Sequence, residues 1–224
     1  MMEKLNKGGE MNKDSQLVIT EFLDRKEQEM LEDLKTLVNL ESGSRDKAGV
    51  DKAGALLKKW WEEEGFEVET YEAEDVGDSY VARINTDSDK PKVVMIGHFD
   101  TVFPVGEVYR RPFEIREDLA CGPGAGDMKG GIVSMVYVIK ALKEADLLHG
   151  PVSVVLNSHE EIGSQYTRRI IEEEVQGAGI VLNMEPARAD GSVVTSRKGA
   201  AFVTMTIIGK ASHSGVAPQE GARS

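Results

Sequence analysis

The sequence has one cysteine, four histidines and few aromatic residues, which make up 6% of its 224 residues. The single cysteine, Cys121, excludes a disulfide bond within the chain. Acidic residues outnumber basic ones by 39 to 27, and the resulting charge of -12 argues against nucleic-acid and anionic-membrane partners. No apolar run approaches the roughly 18 residues of a membrane span, and the N-terminus has no signal or transit pattern. These absences predict a cytoplasmic protein without membrane or nucleic-acid partners.

The remaining composition, 40% hydrophobic and 29% charged, is that of an ordinary globular protein. Helical spacing of apolar residues predicts helices from Ser15 to about Leu40, over 51–64, from Met128 onward and over 164–175. Strand patterns occur at 66–71, 79–85, 92–97, 151–157 and 179–185. Because strands alternate with helices of about 10–15 residues, the chain is predicted to form an α/β fold with a mostly parallel sheet flanked by helices.

The C-terminal stretch differs in character. Residues 191–197 and 199–210 are rich in β-branched residues and predict strands, but no helical pattern follows them. We therefore predict three parts: a polar tail over 1–14, one domain over 15–197, and over 198–224 the beginning of a second domain that is cut short.

Polar residues of metal-binding types follow three of the predicted apolar strands. They are His98 and Asp100 after the first, His159, Glu160 and Glu161 after the second, and Glu185 after the third. Neighbouring parallel strands deliver their carboxyl ends to one edge of a sheet, so these side chains are expected to converge. A further acid, Asp127, lies in a glycine-rich loop before a predicted helix.

Each of these residues alone has an ordinary structural reading. A histidine at a strand end is often only a hydrogen-bonded boundary residue, Glu160 and Glu161 could be solvated, and Asp127 could cap the helix that follows it. Three such clusters together favour a metal site, and the mixture of histidine and carboxylate suits zinc.

The spacings fit that chemistry. Strand alternation puts His98 and Asp100 on the same side, so Asp100 can accept a hydrogen bond from the ring nitrogen of His98 that faces away from the metal. Adjacent glutamates point in different directions, which allows one to bind metal while the other acts as a base.

Other motifs fail. The loop GPGAGDMKGG lacks the glycine of a dinucleotide fingerprint at Lys129 and the Gly-Lys-Ser/Thr of a phosphate loop, and no Gly-x-Ser-x-Gly elbow occurs. Cys121 has no local base and is taken as structural. His149 precedes Gly150-Pro151 and is taken as a turn residue, while His159 is assigned a supporting role.

The sequence resembles the zinc-dependent amidohydrolases that include glutamate carboxypeptidase of the G type, acetylornithine deacetylase, succinyl-diaminopimelate desuccinylase and aminoacylase. The resemblance is carried by GHFDTV (97–102), GPGAGDMKGG (122–131), NSHEEIGS (157–164), NMEPAR (183–188) and GKASHSGVAPQEG (209–221). It implies a zinc peptidase-like catalytic domain followed by the start of an inserted α+β lid and dimerisation domain.

The resemblance also implies residue roles and two zinc ions, for which cobalt or manganese could substitute. His98 and Glu185 would bind one zinc, Glu161 would bind the second, and Asp127 would bridge the two. Asp100 would orient His98, and Glu160 would act as the general base. His213 would reach into the active site of a partner subunit and help to hold the oxyanion of the reaction there.

The implied activity is hydrolysis of an amide bond in a small peptide or N-acyl amino acid, first as an exopeptidase that releases a C-terminal residue such as glutamate. An N-acyl-amino-acid deacylase of the same family is the alternative, and a homodimer formed through the lid is implied. Family members are longer and supply a last histidine ligand near their C-terminus, so we expect an N-terminal part of such an enzyme. An inactive fragment or binding module is the remaining possibility.

Overall fold

A computed structural model describes residues 12–199, 203–206, 208–210, 215, 216 and 219. The chain divides into two compact units, Met1–Pro186 and Ala187–Ser224. Every named helix and strand among the described residues lies in the first unit. None of the helices described is both long and apolar enough to cross a bilayer.

The first unit contains five α-helices and seven strands in its described part. In chain order they are α1 (Lys13–Val38), α2 (Lys47–Glu63), β1 (Glu67–Tyr71), β2 (Ser79–Ile84), β3 (Lys92–His98), α3 (Glu107–Arg110), β4 (Glu114–Arg116), β5 (Leu119–Cys121), α4 (Gly130–Glu144), β6 (Val152–Asn157), α5 (Thr167–Glu174) and β7 (Ala178–Asn183).

Five strands form the main sheet in the order β1-β2-β6-β3-β7, and β4 and β5 form a separate hairpin. The strands β6, β3 and β7 are parallel, whereas β2 pairs antiparallel with both β1 and β6. The predicted α/β class is confirmed, but the sheet is mixed. The reason is that short loops without a helix join β1 to β2, and such a connection favours antiparallel pairing.

Strand β3 is buried on both faces, which explains its continuous apolar sequence. Met95 packs into the main core with residues of α1, α2 and α4, such as Leu37, Leu57 and Ile132. Val94 points to the opposite face, into a smaller cluster against which residues of α5 pack. The sheet is therefore held between helices, and its carboxyl edge remains available for polar groups.

The end of α1 is tied to the segment that precedes α4. Lys129 is only 1% exposed, and its Nζ donates hydrogen bonds of 3.0 Å to the carbonyl oxygens of Leu37 and Leu40. The carbonyl oxygen of Leu37 also accepts the amide of Leu40 at 3.3 Å, so this ammonium group adds a second donor there and supplies one to the carbonyl oxygen of Leu40 just after α1.

The predicted strand at 191–197 is wrong, because these residues form neither helix nor strand. β-Branched residues favour a strand only where a neighbouring strand pairs with it, and no described strand after Asn183 does so. The strand predicted at 199–210 lies partly outside the described residues. The boundary predicted between 197 and 198 remains a prediction.

Gly131 offers a test of the packing between α4 and the segment after β7. A Cβ atom on Gly131 would lie 2.1 Å from the carbonyl oxygen of Met184. We expect Gly131→Ala to lower the free energy of unfolding by about 1–3 kcal/mol, because the backbone of Met184 must shift. Urea denaturation measures the change.

Gly126→Ala is the matched control, because a Cβ atom there would meet no atom within 4 Å. Its expected effect is within about 0.5 kcal/mol. Alanine is the better helix former by about 1 kcal/mol, so a stabilised Gly131→Ala variant would contradict the close packing.

Candidate metal centre

The parallel strands bring distant residues to the same level of the sheet. His98, the last residue of β3, pairs with Asn157 of β6, and Ile96 pairs with Asn183 of β7. The amide of Met184 continues this ladder by donating to the carbonyl oxygen of Ile96 at 2.9 Å. The residues that follow β6 and β7 therefore lie beside His98.

The side chains form one cluster around His98. The Nε2 atom of His98 lies 3.1 Å from Asp127 Oδ1 and 3.6 Å from Glu185 Oε1. Ligand atoms of His98, Asp127 and Glu161 lie within 4.8 Å of one another, and so do those of His98, Glu160 and Glu185. The structure thus brings all four predicted metal ligands and the predicted base together.

Asp100 lies behind this cluster and is fully buried. Nδ1 of His98 lies 3.1 Å from the backbone carbonyl oxygen of Asp100 and 3.3 Å from its Oδ1 atom, so the opposite ring nitrogen faces the acids. The backbone amides of Glu160 and Glu161 donate to the Asp100 carboxylate at 3.0 and 3.2 Å, and Ser44 Oγ donates at 2.6 Å. Asp100 therefore positions both the histidine and the loop that carries the two glutamates.

The cluster has more negative charge than it can neutralise by itself. Burial alone would lower the pKa of His98, but the Asp100 carboxylate, helped by Glu185 and Glu160, outweighs burial and raises it to about 9. Burial raises the pKa values of Glu161 and Glu185, and the nearby charge of Asp127 raises both further. Crowded, half-buried carboxylates beside an imidazole fit a divalent cation such as zinc, cobalt or manganese.

An irregular turn positions Asp127 between β5 and α4. Gly124, at φ 73°, adopts a conformation that favours glycine, and a Cβ atom there would also lie 2.6 Å from Thr101 Cγ2. Asp127 has extended backbone angles, and the peptide bond that follows it is cis. Because α4 begins only at Gly130 with Lys129 at its N-cap, Asp127 is not the cap of that helix.

His159 contacts residues on both sides of the loop that carries Glu160 and Glu161. Its Nε2 accepts a hydrogen bond of 3.1 Å from the amide of Tyr166, and its Nδ1 lies 3.0 Å from Ser158 Oγ. Burial lowers the pKa of His159, which favours the neutral ring that can accept this bond. His159 is absent from both candidate ligand groups, in agreement with the supporting role assigned to it.

The other predicted residues differ in their placement. His213 lies outside the described residues, and its role stays a prediction. Cys121 is partly buried, with its Sγ 3.8 Å from the carbonyl oxygen of Leu119. The sequence did not predict the contacts of Ser44 with Asp100 or of Lys129 with Leu37. Each contact joins residues more than 50 positions apart, and no local sequence pattern indicates such a hydrogen bond.

An α/β domain that gathers a histidine and several carboxylates at the carboxyl edge of parallel strands is typical of metal-dependent hydrolases. Residues 94–217 match the model of peptidase family M20/M25/M40, more than half of the chain, and the chain belongs to this family. It is therefore a member of a hydrolase family.

Two curated relatives are similar over much of the chain. Carboxypeptidase G2 of Pseudomonas sp. (strain RS-16) is 36% identical over 196 residues, which cover 86% of this chain and 47% of the relative. Succinyl-diaminopimelate desuccinylase of Ectopseudomonas mendocina (strain ymp) is 31% identical over 163 residues, covering 66% and 42%. The chain thus spans about half the length of these relatives.

Solved structures of M20 metallopeptidases share the fold. Human carnosine dipeptidase 1 aligns with a TM-score of 0.68 and 18% identity, covering 76% of this chain and 41% of that one. An M20 family metallo-carboxypeptidase of Sulfolobus solfataricus aligns with a TM-score of 0.62 and 24% identity, covering 73% and 39%. At these identities the likeness concerns the fold alone.

The first prediction from this site concerns Asp100. In Asp100→Asn, an NH₂ group replaces one acceptor oxygen and faces backbone amides, so the histidine and the glutamate loop lose their common anchor. We expect the affinity for zinc to fall about 10–100-fold in a calorimetric titration. Ser44→Ala, which removes only one donor to Asp100, should weaken binding less; an unchanged affinity in Asp100→Asn would exclude the positioning role.

The second prediction concerns pH. In the metal-free chain the pKa of His98 is raised from 6.5 to about 9, so its protonated ring stabilises the fold. This contribution is complete below about pH 6.5 and is lost as the pH rises through about 9. We expect the stability difference between the chain and its His98→Gln variant to shrink by up to about 3 kcal/mol across this window. Urea denaturation at a series of pH values measures it, and a constant difference would contradict the raised pKa.

Proposed function

We propose that this chain carries the catalytic metal site of a two-zinc hydrolase that cleaves an amide bond. The observation that carries the proposal is the cluster in which His98 meets Asp127, Glu160, Glu161 and Glu185 at one edge of the sheet. Its first candidate activity is that of a glutamate-carboxypeptidase-like exopeptidase on small peptides or N-acyl amino acids. The 36% identity to carboxypeptidase G2 supports this choice.

The proposed ligands divide between two ions. His98 and Glu185 hold one ion, Glu161 belongs to the other, and Asp127 bridges them. Bound zinc would polarise the scissile carbonyl group and lower the pKa of a water molecule. The side chain of Asp127 is 64% exposed, whereas that of His98 is 2% exposed, so the carboxylate of Asp127 is open to substrate and solvent.

Glu160 is the proposed general base. Its amide is fixed to Asp100, while its side chain is exposed, unlike the half-buried Glu161. An anchored backbone with a free carboxylate suits a group that takes a proton from the attacking water and gives it to the leaving amine. Glu161, whose pKa is raised by burial, suits a ligand whose charge a cation would stabilise.

Three further properties are proposed, the first two from family resemblance and the third from the single cysteine and the N-terminal composition. Residues 198–224 would begin a lid and dimerisation domain, and His213 would reach the active site of a partner subunit in a homodimer. The cytoplasm is the proposed location. These proposals concern the whole protein rather than the described residues.

A deacylase activity is the second candidate. The 31% identity to succinyl-diaminopimelate desuccinylase favours it, because that relative's name describes removal of a succinyl group. Since the chain spans about half of either relative, an inactive fragment or binding module is the third outcome.

The proposed base can be tested by Glu160→Gln. We expect the rate of hydrolysis of N-benzoyl-L-glutamate or N-succinyl-L-alanine to fall at least about 100-fold, with zinc content unchanged, because the amide cannot accept the proton. The favoured substrate distinguishes the carboxypeptidase from the deacylase.

Glu161→Gln is the matched neighbour and should instead lower the zinc content measured by atomic absorption. Near-normal turnover in Glu160→Gln would exclude Glu160 as the base. No turnover by the parent chain, with zinc bound, would favour the inactive fragment.

A further inference from the structure

The loop that carries Glu160 and Glu161 is held by a second set of hydrogen bonds, in which His159 is the central residue. His159 directly precedes the two glutamates and is only 1% exposed. Its carbonyl oxygen accepts the amide of Ser164 at 3.0 Å, and its Nε2 accepts the amide of Tyr166 at 3.1 Å. The ring belongs to neither candidate ligand group, so its buried polar atoms serve some other purpose.

The amide of Tyr166 fixes the state of one ring nitrogen. A backbone amide can only donate, so Nε2 of His159 must be unprotonated in order to accept this bond. A proton on Nε2 would instead face the amide proton across 3.1 Å, and at 1% exposure of His159 no bulk water lies between them to relieve that clash.

The hydroxyl group of Ser158 fixes the state of the other ring nitrogen. Ser158 is fully buried, and its Oγ atom lies 2.5 Å from the carbonyl oxygen of Gly77. Because a carbonyl oxygen can only accept, the one hydroxyl proton of Ser158 is committed to Gly77. The contact of 3.0 Å between Ser158 Oγ and Nδ1 of His159 therefore needs a proton on Nδ1. Two separate partners thus require the same neutral tautomer.

Two further buried hydroxyl groups agree with this assignment. Ser79 Oγ lies 2.9 Å from Ser158 Oγ and 2.9 Å from Thr167 Oγ1. Because the Ser158 proton is committed, Ser79 donates to Ser158. Thr167 in turn donates to Ser79, so every hydroxyl proton of these three residues has one acceptor. Thr167 Oγ1 lies 3.4 Å from both ring nitrogens of His159, farther than the partners at 3.0 and 3.1 Å.

The loop between β6 and α5 is therefore attached at both ends. Ser158, directly after β6, and Thr167, the first residue of α5, both contact Ser79 at the start of β2. Between these ends, the amides of Glu160 and Glu161 donate to the buried carboxylate that follows β3. The directions of the two glutamate side chains depend on the bonds at the ends of the loop as well as on that carboxylate.

We propose that His159 is a positioning residue, a neutral imidazole with its proton on Nδ1, that orients Glu160 and Glu161 towards the metal centre. A ring in this tautomer is a donor to Ser158 and an acceptor for Tyr166 at the same time. Because both ring nitrogens are engaged, His159 is not itself a metal ligand. The positioning role rests on the proposed function of the two glutamates, whereas the tautomer does not.

The tautomer is tested by nitrogen–proton correlation spectra of the 224-residue chain with nitrogen-15 in its histidine rings, recorded at neutral pH. The chain has four histidines, and the signals missing in His159→Gln belong to His159. We expect the shift of a protonated nitrogen at Nδ1 and that of an unprotonated nitrogen at Nε2, with and without zinc. The reverse pattern, or the two equivalent protonated nitrogens of an imidazolium ring, would overturn the proposal.

The positioning role is tested by zinc affinity in calorimetric titrations. His159→Phe keeps a ring but removes both polar contacts, and we expect the affinity to fall about tenfold. His159→Gln keeps an acceptor for Tyr166 and His159→Asn keeps a donor to Ser158, so each should restore part of the loss. His149→Phe is the matched control, because His149 lies before β6 and His159 after it, at opposite ends of the strand. It should leave the affinity unchanged.

A spectroscopic measurement separates positioning from a general loss of stability. In the cobalt-loaded chain we expect His159→Phe to change the visible absorption spectrum, because the carboxylate of Glu161 moves relative to the ion, and His149→Phe to preserve it. An unchanged affinity and spectrum in folded His159→Phe would exclude the role, and so would an equal loss in His149→Phe. If His159→Phe does not fold, parent-like affinity in both His159→Gln and His159→Asn would exclude it.

These results stand apart from the proposed activity. The Nδ1 tautomer and metal binding that depends on His159, in a chain without turnover, would support the positioning role and count against the hydrolase. Turnover that depends on Glu160 but is unaffected by His159→Phe would support the hydrolase and exclude the positioning role. A parent chain that binds no zinc would overturn both, while the spectrum would still decide the tautomer.

Discussion

The carboxylate of Asp100 connects the end of β3, the loop of Glu160 and Glu161, and the segment that carries Ser44. It faces the ring of His98, accepts the amides of Glu160 and Glu161, and accepts the hydroxyl of Ser44. A buried carboxylate without partners would cost several kcal/mol, so these donors are a condition for its burial. The same bonds fix the positions of the ligands, which means that the stability of the loops and the geometry of the site depend on one group.

Sheet topology explains how residues far apart in sequence reach this group. Three parallel strands end at one edge, and the turn before α4 adds Asp127 from the side. Lys129 holds that turn against the end of α1. Burial, helped by the neighbouring carboxylates, raises the pKa values of Glu161 and Glu185, and the carboxylates also raise that of His98; a divalent cation would relieve the repulsion among them.

The sequence contained enough information for the α/β class and for the convergence of the acids, because continuously apolar strands and polar residues at their ends are local patterns. It did not reveal that Ser44 binds Asp100 or that Lys129 caps α1, since both contacts join distant segments. The antiparallel edge and the hairpin of β4 and β5 depend on strand pairing, which local patterns do not encode. The strand predicted at 191–197 failed for the same reason, because propensity without a partner forms no ladder.

The central claim is that the cluster around His98 binds metal. The most direct measurement is the zinc-edge anomalous difference map of crystals of the chain grown with zinc. We expect a peak bonded to Nε2 of His98 and to the carboxylates of Asp127 and Glu185, with a second ion about 3.5–4 Å away, near Glu161, in a complete site. A well-ordered cluster with no anomalous peak, or a peak bound only elsewhere on the chain, would contradict this account.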